Sequence, residues 1–213
     1  MSRATLLDTR TPYRSRNTQT QLNTAAPTSQ TGSPGLTLFQ RAVHDLVRSS
    51  HQERAVRREN VIGRLRASRD PMGYINELID HCAVWGGSEG LDIGIDVLSQ
   101  FGDLVLQYAR EFWKKDVERW GAEEDLHRHH FNDDAWYILL RSAARSDLEP
   151  WQKAPMLLSC SIDGPKSVRE AGVHALGDMG GAVAARLLRR LRDSDRNPSV
   201  RAAATEVLDD LEG

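Results

Sequence analysis

A segment near the carboxyl end of this 213-residue chain is repeated 32 residues later. The thirteen residues from Ser167 to Met179 and the thirteen from Ser199 to Leu211 align without a gap and share six identities. A proline lies just before each copy, at Pro165 and Pro198, and the apolar residues of the two copies have the same helical phase. Two copies of one helix start at a fixed period predict a repeated structural unit, in which each unit buries its apolar face against the next.

A second helix is predicted between the two copies. Its apolar residues follow the i, i+3, i+4, i+7 spacing of one helix face and are reached through Gly180-Gly181; they are Ala184, Leu187, Leu188 and Leu191. The predicted unit is therefore a helical hairpin. We further expect Arg169 and Arg201, which are equivalent positions, to pair with Asp178 and Asp210 along the stack.

The motif Ser-Val-Arg-x-x-Ala-x-x-Ala-Leu-Gly-Asp-Met-Gly, followed by a leucine-rich helix and a second Val-Arg-x-x-Ala start, resembles the short bacterial HEAT repeats, including the lyase HEAT-like repeats. The resemblance covers residues 165–211 and weakens upstream, where we expect Pro155 to interrupt a helix. It implies an α-solenoid over 131–213, with an extension toward residue 72. A di-iron hydroxylase of this class uses His-Glu pairs at helix starts, and this chain contains no His-Glu dipeptide.

The fold class predicted for the rest of the chain is also all-α. Helical spacing of apolar residues recurs from Leu38 onward, and no alternating strand pattern or hairpin turn competes with it. We divide the chain into a disordered tail (1–36), a basic helical segment (37–71), an aromatic-rich acidic helical region (72–130) and HEAT-like repeats (131–213). The tail is rich in Thr, Ser, Gln and Asn, and its arginines also leave a weaker targeting interpretation open.

Charge and cysteine content exclude several classes of protein. The net charge of −2 argues against a generally basic nucleic-acid binder, and no apolar run is long enough to span a membrane. Residues 72–150 carry sixteen acidic and seven basic side chains, so a partner with a basic segment is favoured. The two cysteines, Cys82 and Cys160, are far apart and form no CxxC motif, which suits a reducing compartment, and we expect a cytoplasmic location.

One cluster contains residues of the types that bind metals. His127, His129 and His130 lie close to Asp134, and His130 and Asp134 would share a helix face at i, i+4. The favoured interpretation is a polar loop that leads into a helix start, where acidic side chains suit the helix dipole. We therefore expect no metal and no other cofactor.

Two further groups are candidates for partner binding. The first is the arginine-rich stretch 52–67, with Arg54, Arg57, Arg58 and Arg64. The favoured alternative is that these arginines lie against the chain's own acidic block, with Glu53 and Arg57 as an i, i+4 pair. The second group is Trp113 and Trp120, for which burial in the core is the default interpretation.

The function predicted from the sequence is non-catalytic: a scaffold or adaptor that binds another protein through a HEAT-like surface. No set of residues converges on a catalytic pattern, and an acidic surface disfavours nucleic acid as a partner because it repels phosphate. The alternative is an enzyme or a binder of damaged DNA built on the same scaffold. Partner identity and oligomeric state are left open.

Overall fold

Helices make up nearly all of the described chain. The computed structural model describes residues 36–85, 87–120 and 130–213, and gives the backbone alone for Trp85, 116–120 and 130–132. The helices are α1 (Leu38–Val47), α2 (His51–Arg66), α3 (Pro71–Trp85), α4 (Gly87–Leu98), α5 (Gly102–Trp120), α6 (His130–Arg145), α7 (Pro150–Asp163), α8 (Lys166–Met179), α9 (Gly181–Ser194) and α10 (Pro198–Glu212). A short 3-10 helix, Ser99–Phe101, joins α4 to α5.

Within those ranges there is no β-strand, so the all-α prediction is confirmed. The predicted disordered tail, apart from Leu36, lies outside the described residues. None of the described helices combines the length and the apolar character that crossing a bilayer requires.

Helix starts follow local side-chain chemistry. Thr37 caps α1 through its hydroxyl, which accepts from the Gln40 amide, while the Gln40 side chain accepts from the Thr37 amide. Glu149 and Gln152 form the same reciprocal arrangement at the start of α7, and Asn197 caps α10. Each cap satisfies amide donors that a helix leaves unpaired in its first turn.

In the second half of the chain, the even-numbered helices pack on one another. Helix α4 packs on α6, α6 on α8 and α8 on α10, while α9 packs on α10 and α7 on α8. At the other end, α1 contacts α2 and α3. Residues Leu36 to Gly213 form one compact unit. The basic segment, the acidic region and the repeats, predicted as separate regions, are joined within it by helix contacts such as α1 with α3 and α4 with α6.

The two copies of the repeated segment lie side by side as α8 and α10. Val168 and Val200 are both fully buried, as are Leu176 and Leu208 eight residues further on. The repeated residues therefore fill equivalent positions in neighbouring helices. Buried apolar residues at matching positions contribute about 1.5–3 kcal/mol each to folding.

The equivalent arginines do not pair as the sequence predicted. Arg169 binds Asp195 through two hydrogen bonds, of 2.9 and 3.2 Å, and Arg201 donates to the Asp195 carbonyl at 2.7 Å. Asp178 is held by arginines of α6 instead. The prediction was wrong because Asp195 lies in the α9–α10 loop, between the two helix starts, whereas Asp178 lies near the end of α8.

Pro155 does not interrupt its helix, contrary to the expectation from the sequence. Helix α7 runs without a break from Pro150 to Asp163. Pro155 lacks an amide hydrogen, so it cannot donate to the Trp151 carbonyl four residues before it. Both residues lie on the exposed side of α7, where solvent reaches that carbonyl.

Candidate binding surfaces

The predicted metal cluster is only partly described. His127 and His129 lie outside the described residues, and His130 begins α6 with its side chain undescribed. Asp134 is half-buried; its pKa is raised by burial and by the neighbouring Asp133. Among the described residues, no group of three or more side chains is arranged to hold a metal ion.

Two of the four arginines proposed for partner binding pair with the chain's own acidic block. Arg54 Nη2 lies 2.6 Å from Glu89 Oε1, and Arg58 forms an ion pair with Asp96. Both acids belong to α4. The surface of α2 is therefore partly neutralised within the chain, as the alternative interpretation predicts.

The other two arginines bond within or beside their own helix. Arg57 pairs with Glu53 at 3.3 Å, the predicted i, i+4 pair, and also donates to the Asp45 carbonyl. Arg64 donates to Asn60 Oδ1 at 3.0 Å. Exposed pairs of this kind contribute at most about 1 kcal/mol each, so they leave these side chains available to a competing partner.

The tryptophans differ sharply in exposure. Trp136 is fully buried, and half-buried Trp113 packs edge-on against it with ring centroids 5.6 Å apart. Trp120 lies in the last turn of α5, where the structure gives the backbone alone. Trp151 is 75% exposed. Trp136 is therefore a core residue, whereas Trp151 is a surface residue.

Both cysteines are free and buried. Burial raises the pKa of the Cys82 thiol to about 12, and burial together with Asp163 raises that of Cys160 to about 12. The thiolate is the reactive form of cysteine, so neither side chain is a nucleophile at neutral pH.

A polar cluster, which we call the α6–α8 cluster, joins two helices. It consists of Tyr137, Arg141, His174 and Asp178. Arg141 binds Asp178 through two hydrogen bonds, of 2.5 and 2.9 Å, and Arg141 Nη1 donates to the Tyr137 hydroxyl at 2.5 Å. The Tyr137 ring meets His174 edge-on at 6.0 Å, and Arg145 adds a bond to Asp178 at 3.0 Å.

The surroundings of His174 in the α6–α8 cluster disfavour its protonated form. Burial and the positive charge of Arg141 lower the pKa of His174, against the opposing charges of Asp178, Glu206 and Glu170. The hydrogen bond from Arg141 to Asp178 raises the pKa of that guanidinium, so Arg141 stays charged. Since the guanidinium and the carboxylate are already bonded to each other, we interpret the cluster as a structural tie between α6 and α8.

The outer side of α7 carries a second feature, which we call the α7 apolar face. Its members are Trp151, Pro155, Leu158 and Ile162, at steps of four, three and four residues. That spacing places all four on one side of a helix. Trp151 and Pro155 are exposed, Leu158 is half-buried and Ile162 is 37% exposed. The stripe is about 16 Å long, which is three helical turns.

The α7 apolar face was not predicted from the sequence, for an identifiable reason. Helix α7 has two apolar stripes, and the buried one, with Met156, Leu157 and Cys160, satisfies the expectation of a core helix. The signal for the second stripe was the spacing of Trp151, Leu158 and Ile162, read separately from the buried set. The α6–α8 cluster had a similar signal, because Tyr137, Arg141 and Arg145 repeat at i, i+4, i+8.

Comparison of the chain with protein-family models, with curated proteins and with solved structures gave no match.

Proposed function

We propose that this protein is a non-catalytic scaffold or adaptor that binds another protein, with HEAT-like helical hairpins as its framework. The observation that carries the proposal is the α7 apolar face with its exposed tryptophan. The packing of α6, α8 and α10 on one another and the matched burial of the two repeat copies support the HEAT-like part. Two free, buried thiols suit a protein of the cytoplasm.

An exposed tryptophan on a regular helix is a recognised sign of an interface. Trp is enriched among the few residues that dominate binding energy, because its large ring removes much apolar surface from water in one step. Single exposed apolar residues need no explanation, but here three exposed apolar side chains and half-buried Leu158 share one side of a helix. The stripe lies on an ordered helix, so little conformational entropy is lost when it binds.

The alternative, a nucleic-acid binder or enzyme on the same framework, has less support. The exposed acids beside Trp151 are Asp147 and Glu149, and they would repel a phosphate backbone. Trp136 is buried and Trp113 packs against it, so neither described ring is placed to stack on an extruded base.

The test is capture of partners by the immobilised full-length chain from nuclease-treated lysate of the source. Trp151→Ala is compared with the wild type and with Val56→Ala, a matched control, since Val56 on α2 is also 75% exposed. We expect proteins that the wild type and Val56→Ala retain and that Trp151→Ala releases. Loss of a dominant interface residue costs about 2 kcal/mol or more, roughly 30-fold in affinity.

Circular dichroism of each variant confirms that the helices are intact. Equal capture of proteins by Trp151→Ala and by the wild type would mean that the α7 apolar face no longer supports the proposed function. Capture that disappears entirely on nuclease treatment would favour the nucleic-acid alternative.

A further inference from the structure

Acidic side chains lie at both ends of the α7 apolar face. Asp147 and Glu149 precede Trp151, and Asp163 follows Ile162; all three are exposed. The Glu149 carboxylate caps its own helix through the Gln152 amide. Within the described ranges, neither Asp147 nor Asp163 forms an ion pair with another side chain. Asp147 and Glu149 both act on the single charge of buried Lys153, so the two acids together exceed the one positive charge beside them.

The charges argue against α7 pairing with α7 of a second copy. In an antiparallel pair, Asp163 of one chain would face Asp147 and Glu149 of the other. In a parallel pair, each acid would face its own equivalent. Either arrangement brings like charges together around an apolar contact, where lowered solvent access strengthens the repulsion.

The shape of the face indicates a helical occupant. A straight stripe of three turns, with residues at steps of four, three and four, matches the stripe that another helix presents at the same spacing. Aromatic and aliphatic side chains would cover Trp151 and Ile162, while basic side chains at each end of the occupant would meet Asp147 and Asp163.

We propose that the α7 apolar face binds an amphipathic helix of another protein that carries lysine or arginine at both ends of its apolar stripe. This inference rests on the proposed function and adds to it the surface and the chemistry of the partner. The apolar stripe supplies the affinity, and the charges at its ends set the choice of partner.

The experiment uses two synthetic helical peptides with the same apolar stripe, one flanked by lysines and one by glutamates. Their binding to the full-length chain is measured by fluorescence anisotropy at low and high salt. We expect the lysine-flanked peptide to bind more tightly, by about 2- to 30-fold for two exposed ion pairs, and the preference to shrink at high salt. Trp151→Ala should weaken its binding at least tenfold, and Val56→Ala should leave it unchanged.

Charge reversal makes the test specific. The double variant Asp147→Lys, Asp163→Lys keeps the apolar stripe and the Glu149 cap, so it should fold and should prefer the glutamate-flanked peptide. Equal binding of the two peptides, with Trp151 still required, overturns the charged partner and leaves the proposed function standing. Binding that does not depend on Trp151, or no binding of either peptide, overturns the helical occupant, while the capture experiment separately decides the proposed function.

Binding of a second copy of the chain to the α7 apolar face is a further outcome to be tested. The arginines of α9, Arg186 and Arg190, are exposed and would offer positive charge to α7 of another molecule in a different arrangement. Sedimentation equilibrium over a range of concentrations resolves this. We expect no association that depends on Trp151, and a dimer abolished by Trp151→Ala overturns the proposal.

Discussion

Two glycines in helices show how differently a single missing side chain acts in this fold. A Cβ atom added at Gly172 in α8 would lie 2.2 Å from Ser161 Oγ and 3.1 Å from Ser161 Cα, in neighbouring α7. A Cβ added at Gly63 in α2 would meet nothing within 4 Å. Gly172 therefore permits the close approach of α7 and α8, whereas Gly63 only adds flexibility to the unfolded chain.

The two positions predict opposite effects of the same substitution. Gly172→Ala should destabilise the protein by about 1–3 kcal/mol, because Ser161 is fully buried and its hydroxyl is bonded to the Leu157 carbonyl. Gly63→Ala should stabilise it by about 0.5–1 kcal/mol. Urea unfolding followed by circular dichroism measures both. A Gly172→Ala variant as stable as the wild type would show that α7 and α8 are not closely packed at this point.

At the residue scale, the sequence predicted which apolar residues of the repeat are buried better than it predicted where neighbouring helices come closest. Val168, Leu176, Val200 and Leu208 are buried as their periodicity requires. Neighbouring helices also come close at Gly172 and Gly177, where an added Cβ would lie 2.2 Å from Ser161 Oγ and 2.5 Å from Val207 Cγ1. Glycine gives no periodic signal of its own, and its role emerges only when the neighbouring helix is in place.

At the scale of elements, one buried ion pair ties two helix starts together. The side chains of Arg169 and Asp195 are 3% and 5% exposed, and Arg169 Nη1 also donates to the Gly164 carbonyl at 2.8 Å. Burial alone would raise the pKa of Asp195, but hydrogen bonds from Arg169 and the Asn197 amide outweigh it and lower that pKa. The loop before α10 is thereby fixed to the start of α8.

Removing one partner of this pair should be costly. Arg169→Met leaves the Asp195 carboxylate and the Gly164 carbonyl without the guanidinium, and we expect a loss of about 3–5 kcal/mol in the free energy of unfolding. The double variant Arg169→Met, Asp195→Asn should lose clearly less, because no buried charge is left alone. Chemical unfolding of both variants checks this, and a single-variant loss below about 1 kcal/mol contradicts the pairing.

The elements themselves were largely predictable. Capping residues, prolines and helical spacing indicate most of the helix starts, including those after Pro165 and at Pro198. Pro155 was misjudged because its tolerance depends on the side of the helix that it occupies: it lies on the exposed side of α7, where solvent reaches the Trp151 carbonyl that loses its amide partner. The partner of Arg169 was missed because it depends on how the α9–α10 loop folds back, which no local pattern encodes.

At the scale of the whole molecule, the acidic and basic segments partly neutralise each other. Ion pairs from α2 to α4 join the basic segment to the acidic block, as Arg54 with Glu89 and Arg58 with Asp96 show. The sequence predicted this alternative from segment charges. It could not predict that the acids near Trp151 would be exposed, because that depends on which faces of α7 the packing covers.

Two partly buried histidines make the stability of the whole molecule depend on pH. Burial, His44 and Arg48 lower the pKa of His81, and burial and Arg141 lower that of His174. In the unfolded chain both return to about 6.5. Between the lowered pKa values and 6.5 the unfolded chain binds more protons than the folded one, so stability falls as pH falls through that window.

We therefore expect the free energy of unfolding to be lower at pH 5.5 than at pH 8. Each histidine contributes a slope of at most about 1.4 kcal/mol per pH unit, the limit for one proton. His174→Gln and His81→Gln should each flatten the dependence, because each removes one group whose protonation favours the unfolded chain. Substitution of exposed His51 serves as the control. A dependence equally steep in the His174 and His81 variants would assign the effect to other groups. Asp80 is not one of them, because its raised pKa stabilises the folded chain as pH falls and acts at lower pH.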